Sequence, residues 1–289
     1  MKILILGASG MLGHMLFAEL LRRGMDVYGS VRRMFACNAA WRARLLPGLD
    51  GRDMDTVRRA LDAVRPDVCV NAVGLIRQIP EGRQTLPCLF INAVLPWQLL
   101  ELCRERRIRL VHYSTDCVFD GGKGSPYLEE DIPTATDIYG RTKALGELCG
   151  ENALTLRTSL LGPELRGKHS LLEWFLAQQG PINGYTDAIY SGLPTSEHAR
   201  VLADHILPHA DLNGLYQVSA RPISKYDLLC LLNGVYEKGI HITPYAGRGE
   251  DKRLSGAAFC RATGYEAPAW PDLLNAMRVA HEKNNIDFA

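Results

Sequence analysis

Tyr139 and Lys143 stand four residues apart in the segment "YGRTK". On a helix that spacing puts a phenol and an ammonium on one face. A free tyrosine keeps its proton up to a pH of about 10. A cation beside it favours the phenolate, so the pair can pass protons near neutral pH. The spacing alone is weak, because a chain with 11 tyrosines meets it by chance. A hydroxyl adds weight: Thr115 lies upstream in "HYSTDCVFDGG", where an apolar run ends in polar residues. Cys117 follows two positions later, as chemistry or as a small side chain that leaves room. Another cluster, "GASGMLG", places Gly7, Gly10 and Gly13 between an apolar strand and a helix start. Glycines there let a pyrophosphate approach the backbone, and the helix N-terminus favours its charge.

Periodicity gives the elements that must position these groups. Strands are predicted at 2–6, 26–30, 44–49, 67–74, 109–114 and 153–159. Helices are predicted at 11–23, 53–64, 91–107 and 137–150. This alternation predicts an α/β fold, a Rossmann-like doubly wound sheet of parallel strands with helices on both faces. Ligands bind such sheets beyond the C-terminal strand ends, which is where 114–117 falls. After residue 160 the rhythm breaks into Gly- and Pro-rich loops. Residues 1–160 therefore read as a nucleotide-binding domain and 161–289 mainly as a smaller, irregular substrate domain. A strand at 214–220 and a helix at 224–237 read as a return to the first domain.

Composition narrows the function. The chain has 289 residues, 47% hydrophobic, with a net charge of +1. That balance recommends neither a nucleic-acid surface nor an anionic membrane. No apolar run approaches the roughly 20 residues of a membrane span, and the N-terminus lacks a signal-peptide pattern. The expected location is the cytoplasm. Eight scattered cysteines without a C-x-x-C pair fit reduced thiols, with no metal site. His205 and His209 have Pro208 between them and read as surface residues. After the second strand comes "GSVRR", with Arg32 and Arg33 where an acid would hold a ribose 2′-hydroxyl. Arginine suits a 2′-phosphate, so NADP(H) is expected over NAD(H).

With "NAVG", "STDCVFDG" and "YGRTK" following the glycine cluster in order, the chain resembles the extended short-chain dehydrogenases/reductases. Within them it is most similar to the dTDP-4-dehydrorhamnose reductase family. The resemblance runs on through "LDGRD", "RTSLLGP", "SGLPT" and "GLYQVSA". It implies NADPH-dependent reduction at C4 of a nucleotide-activated 4-keto-6-deoxy sugar in surface polysaccharide synthesis. Tyr139 would protonate the carbonyl oxygen, Thr115 would hydrogen-bond it, and Lys143 would hold the nicotinamide ribose and lower the tyrosine pKa. Gly7, Ser9, Gly10, Met11, Leu12 and Gly13 would wrap the pyrophosphate. Asp50 would lie near the adenine, and Ala72, Val73 and Gly74 would line the adenosine side. Arg77, Gln78, Asp116 and Trp174 are the further substrate candidates. Asn92 matches a helix asparagine that organises the site in this family.

Two departures bear on the sugar. The reductase pattern has tyrosine at the position of Cys117 and tryptophan at that of Leu160. The wider family's dehydratases carry an acid where Cys117 stands, so dehydration is not expected. Cys117 with His169, at the head of "HSLLEWFL", also resembles a pair in GDP-fucose synthases. That likeness implies proton exchange at C3 or C5 before reduction, and a thiol near cations could be poised for it. A regulatory subunit of methionine adenosyltransferase resembles the same pattern and implies a non-catalytic NADP-binding alternative. The wider family implies a helix-to-helix homodimer.

Overall fold

The computed structural model describes residues 1–247 and 249–287; residues 288–289, the end of the expected substrate region, lie outside the described residues. Seven parallel strands form the main sheet. They are β1 (Lys2–Leu6), β2 (Asp26–Val31), β3 (Leu45–Pro47), β4 (Val68–Asn71), β5 (Arg109–Tyr113), β6 (Ala153–Arg157) and a final strand, Gly214–Gln217. Their order is final strand–β6–β5–β4–β1–β2–β3. The order reverses between β1 and β4, and the crevice opens there at the C-terminal strand ends.

The period of two along each strand builds two cores. Ile3 and Ile5 face α1 (Met11–Arg22), packing with Leu16 and Phe17. Leu4 and Leu6 face the opposite layer, with Val57, Leu61 and Leu99. Both faces are covered, so the strands read as apolar runs rather than alternating ones.

Three elements depart from their predicted bounds for physical reasons. The helix expected at 91–107 is part of a longer helical run, Thr85–Glu105, with a π-helical turn at Leu89–Val94. That run is long and apolar enough to cross a membrane, contrary to the reading of the sequence, but just over half (56%) of its apolar 18-residue window is buried inside the protein. The helix expected at 137–150 spans only Ile138–Leu145. It stops where Gly146 meets the Asn92 backbone, leaving a Cβ only 1.9 Å from that carbonyl oxygen. The segment 214–220 does join the sheet, through Gly214–Gln217 on β6.

Beyond β6 the chain makes three two-stranded ribbons and several helices. The helix Thr195–Val201 packs on α1. The helix Lys225–Val235 packs instead on the ribbon of Ile182–Tyr185 with Ile242–Tyr245.

A buried ion pair ties β5, β6 and the residues after helix Ile138–Leu145 together. Arg157 donates through Nε and Nη2 to the two oxygens of Glu147, both at 2.8 Å. Ser114 donates to the same carboxylate at 2.7 Å. The guanidinium also lies 5.0 Å over the Phe119 ring. The two charged side chains are 4% and 7% exposed, so neither finds water if the other is removed. Arg157→Met is therefore expected to cost about 3–5 kcal/mol. The check is urea unfolding, where the midpoint should fall while the slope holds.

Candidate active site

The crevice is a cleft of about 1400 Å³. At one end lies the glycine loop. Gly7 has φ +83° and a Cβ there would crowd the Ala72 carbonyl. A Cβ on Gly13 would sit 2.1 Å from the Gly7 oxygen. Both positions therefore demand glycine, and both lie beneath the cleft rather than in its lining. Ser9, Gly10, Met11 and Leu12 line it. Gly10 starts α1 with no side-chain cap, so the first helical N–H groups are available to an anion. Arg32 and Arg33 line the cleft at the end of β2, and both are exposed. Asp50 lines it too, held in its charged form by Arg52 at 2.8 Å and then by Arg32. Ala72, Val73 and Gly74 form the opposite wall.

The middle of the cleft brings Thr115, Tyr139 and Lys143 together. Thr115 caps a short 3₁₀ turn, Asp116–Val118, by accepting the Cys117 N–H at 3.1 Å. The helix carrying Tyr139 and Lys143 is capped by Asp137, which accepts the Gly140 N–H at 3.0 Å. It rests directly on the Thr115 turn: a Cβ on Gly140 would fall 2.2 Å from the Cys117 carbonyl oxygen. That contact sets Tyr139 beside Thr115. Lys143 is buried, and Nζ donates to the Tyr113 carbonyl at 2.6 Å. Asn92 holds the loop above by pairing with both backbone groups of Leu75, at 2.9 and 3.0 Å.

Burial dominates the electrostatics of these groups. Burial pushes the Tyr139 phenol above its ordinary value; Cys117 adds to this, Thr115 opposes it, and Lys143 is not among the dominant influences. Tyr139 is thus a neutral phenol, an acid rather than a phenolate. Burial lowers Lys143 to about 8, against the pull of Glu147. Burial likewise drives Cys117 up to about 12, helped by Asp116, although Lys252, Arg77 and Thr115 pull it down. The thiol keeps its proton, because desolvation outweighs the nearby cations.

At the far end Arg77, Gln78, Asp116, Cys117, Leu160, His169 and Trp174 line the cleft. His169 is exposed on the wall, its N–H donating to Glu164. It does not open the helix, which starts at Leu171 with Ser170 as its cap. Trp174 lines the cleft and is 40% exposed. His205 and His209 lie away from it, their Nδ1 atoms facing the backbone oxygens of Thr263 and His205. Sequence reasoning missed Lys225, Glu250 and Lys252, which reach the same end from late in the chain. No local motif marks them; only the fold brings them in. The cleft is lined by ten Lys and Arg against four Asp and Glu, in a chain whose net charge is +1. It is a basic groove made for anionic ligands.

Fold and cleft together define an extended short-chain dehydrogenase/reductase architecture. Residues 1–231 match the model of the RmlD substrate binding domain family, and the chain belongs to that family. It is 33% identical over 173 residues to a dTDP-4-keto-6-deoxy-D-glucose reductase of Streptomyces niveus, covering 58% of this chain and 54% of that one. The match spans about half the length of that curated relative. It is 26% identical over 284 residues to methionine adenosyltransferase 2 subunit beta of Danio rerio, covering 90% and 83%. The crystal structure of dTDP-4-dehydrorhamnose reductase from Bacillus anthracis in complex with NADP superposes with a TM-score of 0.79, at 21% identity over 96% of this chain and 98% of that one. That last likeness is one of fold.

The contact of Gly140 with the Cys117 carbonyl gives a test. Gly140→Ala should destabilise by about 1–3 kcal/mol through overpacking. Gly234→Ala, in a helix with nothing within 4 Å of its added Cβ, should stabilise slightly. Parallel urea titrations of the two variants check the contrast.

Proposed function

We propose that the chain reduces C4 of a nucleotide-activated 4-keto-6-deoxy sugar with NADPH, for deoxysugar and polysaccharide synthesis. The observation that carries this is the meeting of Thr115, the neutral phenol of Tyr139 and the buried Lys143 in the middle of a basic cleft. Membership of the RmlD family supports it. The cofactor fits the residues present: a glycine cradle that side chains would fill, open helix N–H groups, and two arginines at the end of β2.

Gly10, Met11 and Leu12, with Ser9, would hold the pyrophosphate. Arg32 and Arg33 would hold a 2′-phosphate, which favours NADP(H) over NAD(H). Asp50 would meet the adenosine, beside Ala72, Val73 and Gly74. NADPH supplies the hydride when bound. Thr115 then donates a hydrogen bond to the carbonyl oxygen, and Tyr139 gives that oxygen its proton. The phenol holds its proton at neutral pH, and burial strengthens that hold. Lys143, lowered to about 8 by burial, holds the nicotinamide ribose. Arg77, Lys168 and Arg166 suit the nucleotide diphosphate. Trp174, on the cleft wall, would pack on the sugar or base. Cys117 and Leu160 widen the sugar end where bulkier side chains would narrow it. Plain reduction is preferred to an epimerase-reductase, since a protonated Cys117 is no base and epimerisation would need His169 in that role.

Residues 1–160, with the strand Gly214–Gln217, would form the cofactor domain, and 161–289 mainly the substrate domain. Eight free thiols suit the reducing cytoplasm. A homodimer would use the apolar stripe of Leu86, Phe90, Val94, Trp97 and Leu145, each 39% exposed or more. Sedimentation should give the mass of two chains, and of one for Phe90→Glu; a wild-type monomer would refute this assembly.

The activity test is NADPH oxidation with a panel of nucleotide-linked 4-keto-6-deoxy sugars. Turnover with NADPH should exceed that with NADH. Tyr139→Phe should lose about 10²- to 10⁴-fold in kcat while still binding NADPH. Undiminished turnover in Tyr139→Phe would remove the phenol from the chemistry. A wild-type protein that binds NADPH and reduces no sugar would favour the regulatory alternative.

A further inference from the structure

Lys252 enters the cleft from a segment that carries none of the motifs above. The backbone just after it is fixed by three hydrogen bonds. Tyr127 donates to the Arg253 carbonyl and accepts from the Ser255 N–H, both at 2.9 Å. The Leu254 N–H donates to Ser191 Oγ at 2.9 Å. The side chain lies against the bend at Gly121, where φ is +88° and a Cβ would come within 3.3 Å of Lys252 Cγ. The ammonium is 2.7 Å from Glu250 and its side chain is only 10% exposed.

This cation lines the same cleft as Thr115 and Tyr139. Its charge acts on both Asp116 and Cys117, the residues that follow Thr115. Burial opposes the charge on Lys252, but Glu250, Cys117 and Asp116 outweigh it and the group stays an ammonium. Burial also pushes Glu250 up, yet Lys252, Arg77 and Lys225 hold its carboxylate below the usual range. A buried ammonium needs partners. Glu250 takes one of its three donors, and a ligand oxygen can take another.

The pair does not suit a phosphate. Glu250 already neutralises Lys252, and Asp116 adds a second negative charge close by. A donor beside an acceptor suits a neutral hydroxyl instead. We propose that Lys252 and Glu250 read the C3 hydroxyl of the sugar, next to the carbonyl held by Thr115 and Tyr139. Lys252 donates to the hydroxyl oxygen, and the hydroxyl donates to the Glu250 carboxylate. The naming of C3 rests on the reductase reading above.

The test compares a nucleotide-linked 4-keto-6-deoxy sugar with its 3-deoxy analogue, by calorimetric binding and by kcat/KM. The wild type should prefer the hydroxylated sugar by about tenfold or more, the worth of a hydrogen bond to a charged group. Lys252→Met should erase that preference while leaving the affinities for NADPH and for the free nucleoside diphosphate unchanged. A preference that survives in Lys252→Met overturns the proposal. So does a parallel loss of nucleoside diphosphate affinity, which would make Lys252 a phosphate ligand. If Lys252→Met fails to fold, the Lys252→Met/Glu250→Met double variant removes both charges and gives the same reading. A protein that binds both sugars and reduces neither defeats the reductase reading alone, and the binding preference still decides the role of Lys252. A protein that binds neither overturns both.

Discussion

The backbone of Gly140 lies so close to the Cys117 carbonyl that no Cβ fits between them. This one approach joins two distant parts of the chain, the turn after β5 and the helix that carries Tyr139 and Lys143. It leaves Thr115 and Tyr139 facing one point in the cleft. Asn92 and Gly146 make a second close approach on the same helix. The Glu147–Arg157 pair anchors the chain just beyond it. The reacting groups are therefore set by packing of rigid elements, and that is what lets a small constellation hold its geometry.

The same packing decides the protonation states. Tyr139, Lys143 and Cys117 are all shifted mainly by loss of water, each toward its neutral form. For Tyr139 that outcome suits a reductase, which needs an acid at the carbonyl oxygen. For Cys117 it leaves a protonated thiol. Elsewhere in the cleft charge survives where partners offset burial, as at Lys252 with Glu250. Basic side chains spread along the rest of the groove match ligands that carry phosphates at both ends.

Much of this was legible in the sequence. The strand–helix alternation, the glycine loop and the Tyr139–Lys143 pair are local patterns, and the parallel sheet follows from them. Three things were not local. The helix ends at Leu145, and the next residue, Gly146, lies against the Asn92 backbone, a contact no periodicity shows. The direction of the Tyr139 and Cys117 shifts depends on burial, which a neighbouring cation in the sequence does not reveal. Lys225, Glu250 and Lys252 join the site only because later segments fold back over the cleft, in a region whose Gly and Pro content hid its order. The continuous helical run from Thr85 was also missed, since the π-helical turn at Leu89–Val94 breaks the 3.6-residue pattern.

The central claim is hydride delivery to C4 with Tyr139 as the acid and no proton exchange at the flanking carbons. It is tested most directly by isotope placement. Turnover of a nucleotide-linked 4-keto-6-deoxy sugar with NADPH carrying deuterium at nicotinamide C4 should put one deuterium at sugar C4, read by NMR. The same reaction with unlabelled NADPH in deuterated water should leave C3 and C5 unlabelled. Solvent deuterium at C3 or C5, or no transfer to C4, would contradict it.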